Sequence, residues 1–137
     1  MKRRSHAREV ALQVLFQHDH NPNMDHGAVK QFVAGRLKDS ELVTFCLSLS
    51  DGVINHQAEI DQRIALAAEN WRVSRMATVD RNVLRMGTYE LFYNPETPAR
   101  VAFDEAIELA RRYGSADSPG FVNGVLDRLY QSLATPA

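Results

Sequence analysis

Apolar residues recur along this chain at the spacing of an α-helix, and no segment sustains the period-two alternation of a strand. Ala7, Val10, Ala11, Val14 and Leu15 fall at i, i+3, i+4, i+7 and i+8. They predict a first helix over about Ser5–His20, ended by Asn21-Pro22-Asn23. A short second helix is expected over about Asp25–Gly35, carrying Val29, Phe32 and Val33. Ser40 is placed to cap a third, with Leu42, Val43, Phe45, Cys46, Leu49 and Val53 on its apolar side. Ile60, Ile64, Ala67 and Ala68 mark a fourth that stops near Asn70-Trp71.

Thr78 is expected to cap a fifth helix whose face is Val79, Val83, Met86, Gly87 and Leu91. Its first turn holds Asp80, a carboxylate suited to the positive end of the helix dipole. Thr97-Pro98 reads as a cap followed by proline at the first helical position. The sixth helix carries Ala102, Glu105, Ala106, Leu109, Ala110 and Tyr113, with Gly114 expected as its left-handed C-cap. Ser118-Pro119 repeats the cap-then-proline signal for a seventh, predicted to bury Val122, Val125, Leu126, Leu129 and Leu133. The expected fold is therefore all-α. About seven helices form two packed subdomains of one domain over residues 1–137, with the seam near residues 70–77. No internal repeat or low-complexity linker argues otherwise.

Composition fits that picture. The chain has 137 residues, 45% of them hydrophobic, which is enough for a core without covalent staples. Cys46 is the sole cysteine, so no intrachain disulfide exists, and a lone thiol on an apolar face reads as a buried structural residue. Met1-Lys2-Arg3-Arg4 runs into Ser5-His6-Ala7-Arg8-Glu9, where a secretory signal would need an apolar stretch. No run of about 18 apolar residues can span a membrane. A cytoplasmic protein is expected.

Charge adds direction. Residues 1–8 hold Lys2, Arg3, Arg4 and Arg8 and no acid. Arg72, Arg75, Arg81 and Arg85 surround the single acid Asp80, and the chain has 13 Arg against 3 Lys. Guanidinium forks bind phosphate bidentately and stack on bases, a bias towards nucleic acid. A basic helix start followed by Phe16, placed on the same side as Arg8, is a minimal device for single-stranded nucleic acid; core burial is the other reading of Phe16.

Catalytic patterns are missing: there is no phosphate loop with a following lysine, no GxSxG elbow, no HExxH and no CxxC. His18, His20 and His26 lack the spacing of a metal set, so no metal and no cofactor are expected. Glu108 with Arg111 and Arg112 has the spacing of surface ion pairs.

Three blocks carry a family resemblance. They are Arg8-Glu9 with Ala11-Leu12-Gln13-x-Leu15-Phe16; Val79-Asp80-Arg81-x-Val83-Leu84-Arg85 running into Tyr89-Glu90-Leu91; and Pro98-x-x-Val101-Ala102 with Glu105-Ala106-Ile107-Glu108-Leu109-Ala110, then Asp117-Ser118 and Phe121-Val122-Asn123-Gly124-Val125-Leu126-Asp127. In order and spacing the chain resembles the NusB family of transcription antitermination factors. The resemblance implies an all-α, non-catalytic protein. It would bind the single-stranded boxA element of ribosomal RNA transcripts together with NusE, a small-subunit ribosomal protein, and load onto RNA polymerase.

Carried over residue by residue, the resemblance implies RNA contacts at Arg3, Arg4, Arg8, Phe16, Asp117 and Phe121. It implies NusE contacts at Asp80 and Arg85. Phe121 has two readings, a stacking ring or a core residue at the edge of the seventh helix's stripe. The alternative is a helical RNA-binding or protein-interaction module akin to the N-terminal domain of ribosomal RNA cytosine methyltransferases. Against it, no strand–glycine-rich–helix unit for a methyl donor follows. A homodimer stays open.

Overall fold

The structure, a computed structural model, describes residues 2–69 and 71–134. It holds seven α-helices: α1 (Lys2–His20), α2 (His26–Leu37), α3 (Ser40–Asn55), α4 (Gln57–Ala68), α5 (Thr78–Tyr93), α6 (Ala99–Tyr113) and α7 (Ser118–Ala134), with a 3-10 turn at Val73–Arg75. No strand occurs among the described residues. The all-α expectation holds. Contacts divide the chain into residues 1–55 and 56–137, earlier than the seam expected at 70–77. Within the second unit α4 packs on α5 and α7.

In the first unit α1 lies on α3, and α2 covers both. The predicted stripe of α1, from Ala7 to Leu15, is buried to within a few per cent and meets Val33, Leu37, Cys46, Leu49 and Val53 as one apolar core. Asp25 caps α2, its side chain accepting a hydrogen bond from the Ala28 N–H at 3.0 Å. Ser40 does not cap α3. Asp39 does, its Oδ1 accepting from Glu41 N at 2.9 Å and Leu42 N at 3.4 Å.

In the second unit α5 is the central helix, packed by α4, α6 and α7. Residues 82–88 of α5 are buried without interruption, so its polar groups must be satisfied internally. Asn82 donates to the Thr78 carbonyl at 3.0 Å, and Thr88 donates to that of Leu84 at 2.7 Å. Glu90 Oε2 accepts from the Thr97 hydroxyl at 3.0 Å, which draws Thr97 away from the capping role expected of it. Pro98 stands at the N-cap of α6 instead, and Ala77 rather than Thr78 at that of α5. Gly87 lets α7 approach closely, since a Cβ there would lie 3.0 Å from Leu126.

Gly114 is not left-handed: its φ of −97° and ψ of −165° are extended backbone. Its constraint is space, because a Cβ would come within 2.8 Å of the Ala110 carbonyl and collide with Ser118. Two expected core members, Tyr113 and Leu133, lie 45% and 46% exposed at the ends of their helices. Part of the stop expected for α4 falls on Asn70, outside the described residues; the helix itself ends at Ala68.

Candidate nucleic-acid interface

The basic N-terminus is helical from Lys2, whose side chain lies outside the described residues. Arg4 and Arg8, one turn apart, share a helix face. Both guanidinium groups sit over the ring of Phe45 on α3, 4.6 Å and 5.0 Å from its centroid. Arg4 remains exposed, whereas Arg8 is 3% exposed. Arg3 pairs with Asp39, tying the start of α1 to the capping carboxylate of α3.

Phe16 is 42% exposed and lies against His20, with ring centroids 4.8 Å apart. It is therefore not a core residue. It also does not share a side with Arg8, because eight residues carry the helix roughly 80° past two full turns. That offset corrects the expected pairing: Arg8 faces Phe45, and Phe16 faces water. Phe45, under Arg4 and Arg8, and Asp39, paired with Arg3, are not among the site residues expected from the sequence. Asp39 was legible as a capping residue just ahead of a helix.

At the other end of the chain, Ser118 is 1% exposed and its hydroxyl accepts a hydrogen bond from Ser115 N at 2.9 Å. The Asp117 carbonyl accepts the Phe121 N–H at 3.1 Å, so the backbone of the α7 start is fixed. The Asp117 side chain is exposed, and nothing would lie within 4 Å of a Cβ at Gly120. Phe121 is half-buried, edge-on to Trp71 with centroids 5.5 Å apart. Its ring is neither a core plug nor a free flag.

Asp80 lies in the first turn of α5, partly exposed, but its Oδ1 is shut from water and makes no hydrogen bond among the described residues. Arg85 is 5% exposed and committed inside the unit. Its Nε and one terminal nitrogen donate to the two Asp61 oxygens at 2.8 and 2.9 Å, and its other terminal nitrogen donates to Asn82 at 3.0 Å. That fork joins α4 to α5, so the partner contact expected of Arg85 is occupied by Asp61.

Among the described residues no group of three or more His, Cys, Asp or Glu can hold a metal ion. No described helix is long and apolar enough to cross a membrane. Burial, aided by the Asp51 carboxylate, pushes the Cys46 thiol up to about 12, far from the range of a nucleophile.

The NusB family model matches residues 5–131. Transcription antitermination protein NusB of Sorangium cellulosum is 45% identical over 133 residues, covering 97% of this chain and 95% of its own length. Among solved structures, T. maritima NusB superposes with a TM-score of 0.83 at 36% identity, covering 93% of this chain and 90% of that one. NusB solved with NusE in complex with dsRNA gives a TM-score of 0.86 at 28% identity, covering 96% of this chain and 98% of that one. Fold, length and sequence agree: this chain belongs to the NusB family of transcription antitermination proteins, which are not enzymes.

Proposed function

We propose that this protein binds single-stranded boxA-type RNA of ribosomal RNA transcripts jointly with a NusE-type ribosomal protein, and so joins the antitermination complex on RNA polymerase in the cytoplasm. The observation that carries the reading is the α7 start. There an exposed carboxylate and a half-buried ring flank the open space at Gly120, on a chain of NusB fold.

Each unit contributes its own contacts. Phe121 stacks on a base and Asp117 accepts hydrogen bonds from a base edge, the usual division of labour for unpaired RNA. On α1, Arg3 and Arg4 meet phosphates and Phe16 offers a second ring. Arg8 holds α1 to Phe45 and so sets the direction of that basic end. Asp80 meets a cationic group on the NusE-type partner. Asp80 stays partly exposed in the first turn of α5, where a carboxylate can meet a cation from outside.

The test is a titration of boxA RNA, its scrambled version and its duplex, with and without NusE, across salt concentrations. Preference for single-stranded boxA, strengthened by NusE, supports the proposal; equal binding of boxA and scrambled RNA removes it. Sedimentation of the RNA-bound protein gives the number of copies per RNA and so tests for a homodimer.

A further inference from the structure

Trp71 is the only tryptophan in the chain and is 55% exposed. Tryptophan carries more apolar surface than any other side chain and is highly buried on average, so this much exposure calls for a reason. Its surroundings are built rather than loose. The Trp71 N–H donates to the Ala68 carbonyl at 3.2 Å, and the 3-10 turn that follows closes with Arg75 N to Arg72 O at 2.9 Å. Arg81 reaches back from α5 to the Val73 and Ser74 carbonyls at 3.5 and 3.4 Å, and Met76 anchors the turn in the core. The backbone under the indole is thus tied to α5, and the ring itself rests edge-on against Phe121.

Beside it, Arg72 and Arg75 are both exposed, and their guanidinium groups have no hydrogen bond or ion pair among the described residues. The other two arginines of that cluster are consumed internally, Arg81 by the turn and Arg85 by Asp61. A fixed aromatic face with two unspent guanidinium groups is the combination that binds single-stranded nucleic acid, through base stacking and phosphate charge.

We propose that Trp71 is a base-stacking residue of this protein, with Arg72 and Arg75 on the adjoining phosphates, extending the RNA contact of Phe121 along the 3-10 turn. The inference rests on the RNA-binding reading above and adds residues that reading does not contain. An exposed Trp with arginines also suits a protein partner. RNA is favoured because the indole touches the ring already assigned to a base, and because no acid stands between Glu69 and Asp80 to complement a basic partner.

Trp71 is its own reporter. Labelled single-stranded boxA RNA is titrated into the full chain with NusE present, following RNA anisotropy and indole fluorescence together. The expected result is quenching of the indole that saturates with the anisotropy. Trp71→Ala weakens RNA binding by about 5- to 150-fold, the range for one stacked base, while Trp71→Phe retains most of the affinity. Arg72→Gln with Arg75→Gln lowers the log–log salt slope by about 1.4. Thermal melting checks that each variant folds, and if Trp71→Ala does not, the wild-type quenching and Trp71→Phe decide. RNA binding with an unchanged indole signal and an unaffected Trp71→Ala overturns this proposal and leaves the RNA reading intact. Loss of NusE affinity alone in Trp71→Ala makes the surface a protein contact and also overturns it. Absence of any RNA binding by the wild type removes both.

Discussion

Arg4 and Arg8 share one aromatic ring, and only Arg4 remains in water. The two should therefore respond differently to truncation. Arg8→Ala removes a desolvated cation–π contact and the packing of its stem, so it should lower unfolding free energy by about 1–3 kcal/mol in urea denaturation. Arg3→Ala with Arg4→Ala should leave stability near wild type and reduce the salt slope of RNA binding by about 1.4. Phe121→Ala should weaken RNA by roughly 1–3 kcal/mol if one base stacks there. It should cost less stability than the 3–5 kcal/mol of a fully buried phenylalanine, since its ring is only half covered. Cys46, held near 12, should react with a disulfide probe at mildly alkaline pH only as fast as the protein opens. Rapid labelling of the folded protein would contradict its burial.

The elements are held by a few polar joints whose loss can be graded. The Arg85–Asp61 fork joins α4 to α5 where Arg85 is buried and Asp61 is partly open. Arg85→Ala should cost about 3 kcal/mol, the lower end for breaking a buried pair, because water reaches the Asp61 side. Asp39 joins α1 to α3. Desolvation pulls its carboxyl upward, but the N–H groups of Glu41 and Leu42 and the Arg3 guanidinium outweigh this and hold it below the ordinary carboxylate range. A carboxyl depressed in the folded state stabilises above its unfolded pKa. That contribution is lost as pH falls through the lower folded value. Asp39→Asn should flatten the acid limb of the stability–pH curve while keeping a capping oxygen, and a curve unchanged in shape would remove Asp39 from this role. Gly114→Ala should destabilise by about 1–3 kcal/mol through collision with Ser118 and the Ala110 carbonyl.

At the scale of the molecule, what the sequence revealed and what it hid have physical explanations. All seven helices were legible because each buries one face against a neighbour, and burial writes its period into the chain. The start of α1 was not, because Lys2–His6 carries no apolar residue to extend the stripe. The 3-10 turn is too short to show a period at all. Gly114 was misread because a glycine required for space and one required for positive φ look alike in sequence. Arg8 was legible in part: it stands three, four and seven residues before Ala11, Leu12 and Leu15, all core, so a long side chain there lies on the buried face. Its partner Phe45 belongs to another helix and leaves no local trace. The same holds for the meeting of Trp71 and Phe121, which only the packing of the second unit reveals.

In the function proposed above, this NusB-family chain recognises unpaired RNA as one half of a pair with NusE. The most direct measurement is a competition in which labelled single-stranded boxA RNA, bound by the chain and NusE, is displaced by unlabelled boxA, scrambled and duplex RNA at fixed near-physiological salt. Unlabelled boxA should displace at the lowest concentration, and omitting NusE or introducing Phe121→Ala should erode this advantage. Equal displacement by all three RNAs, unchanged by NusE, would contradict it.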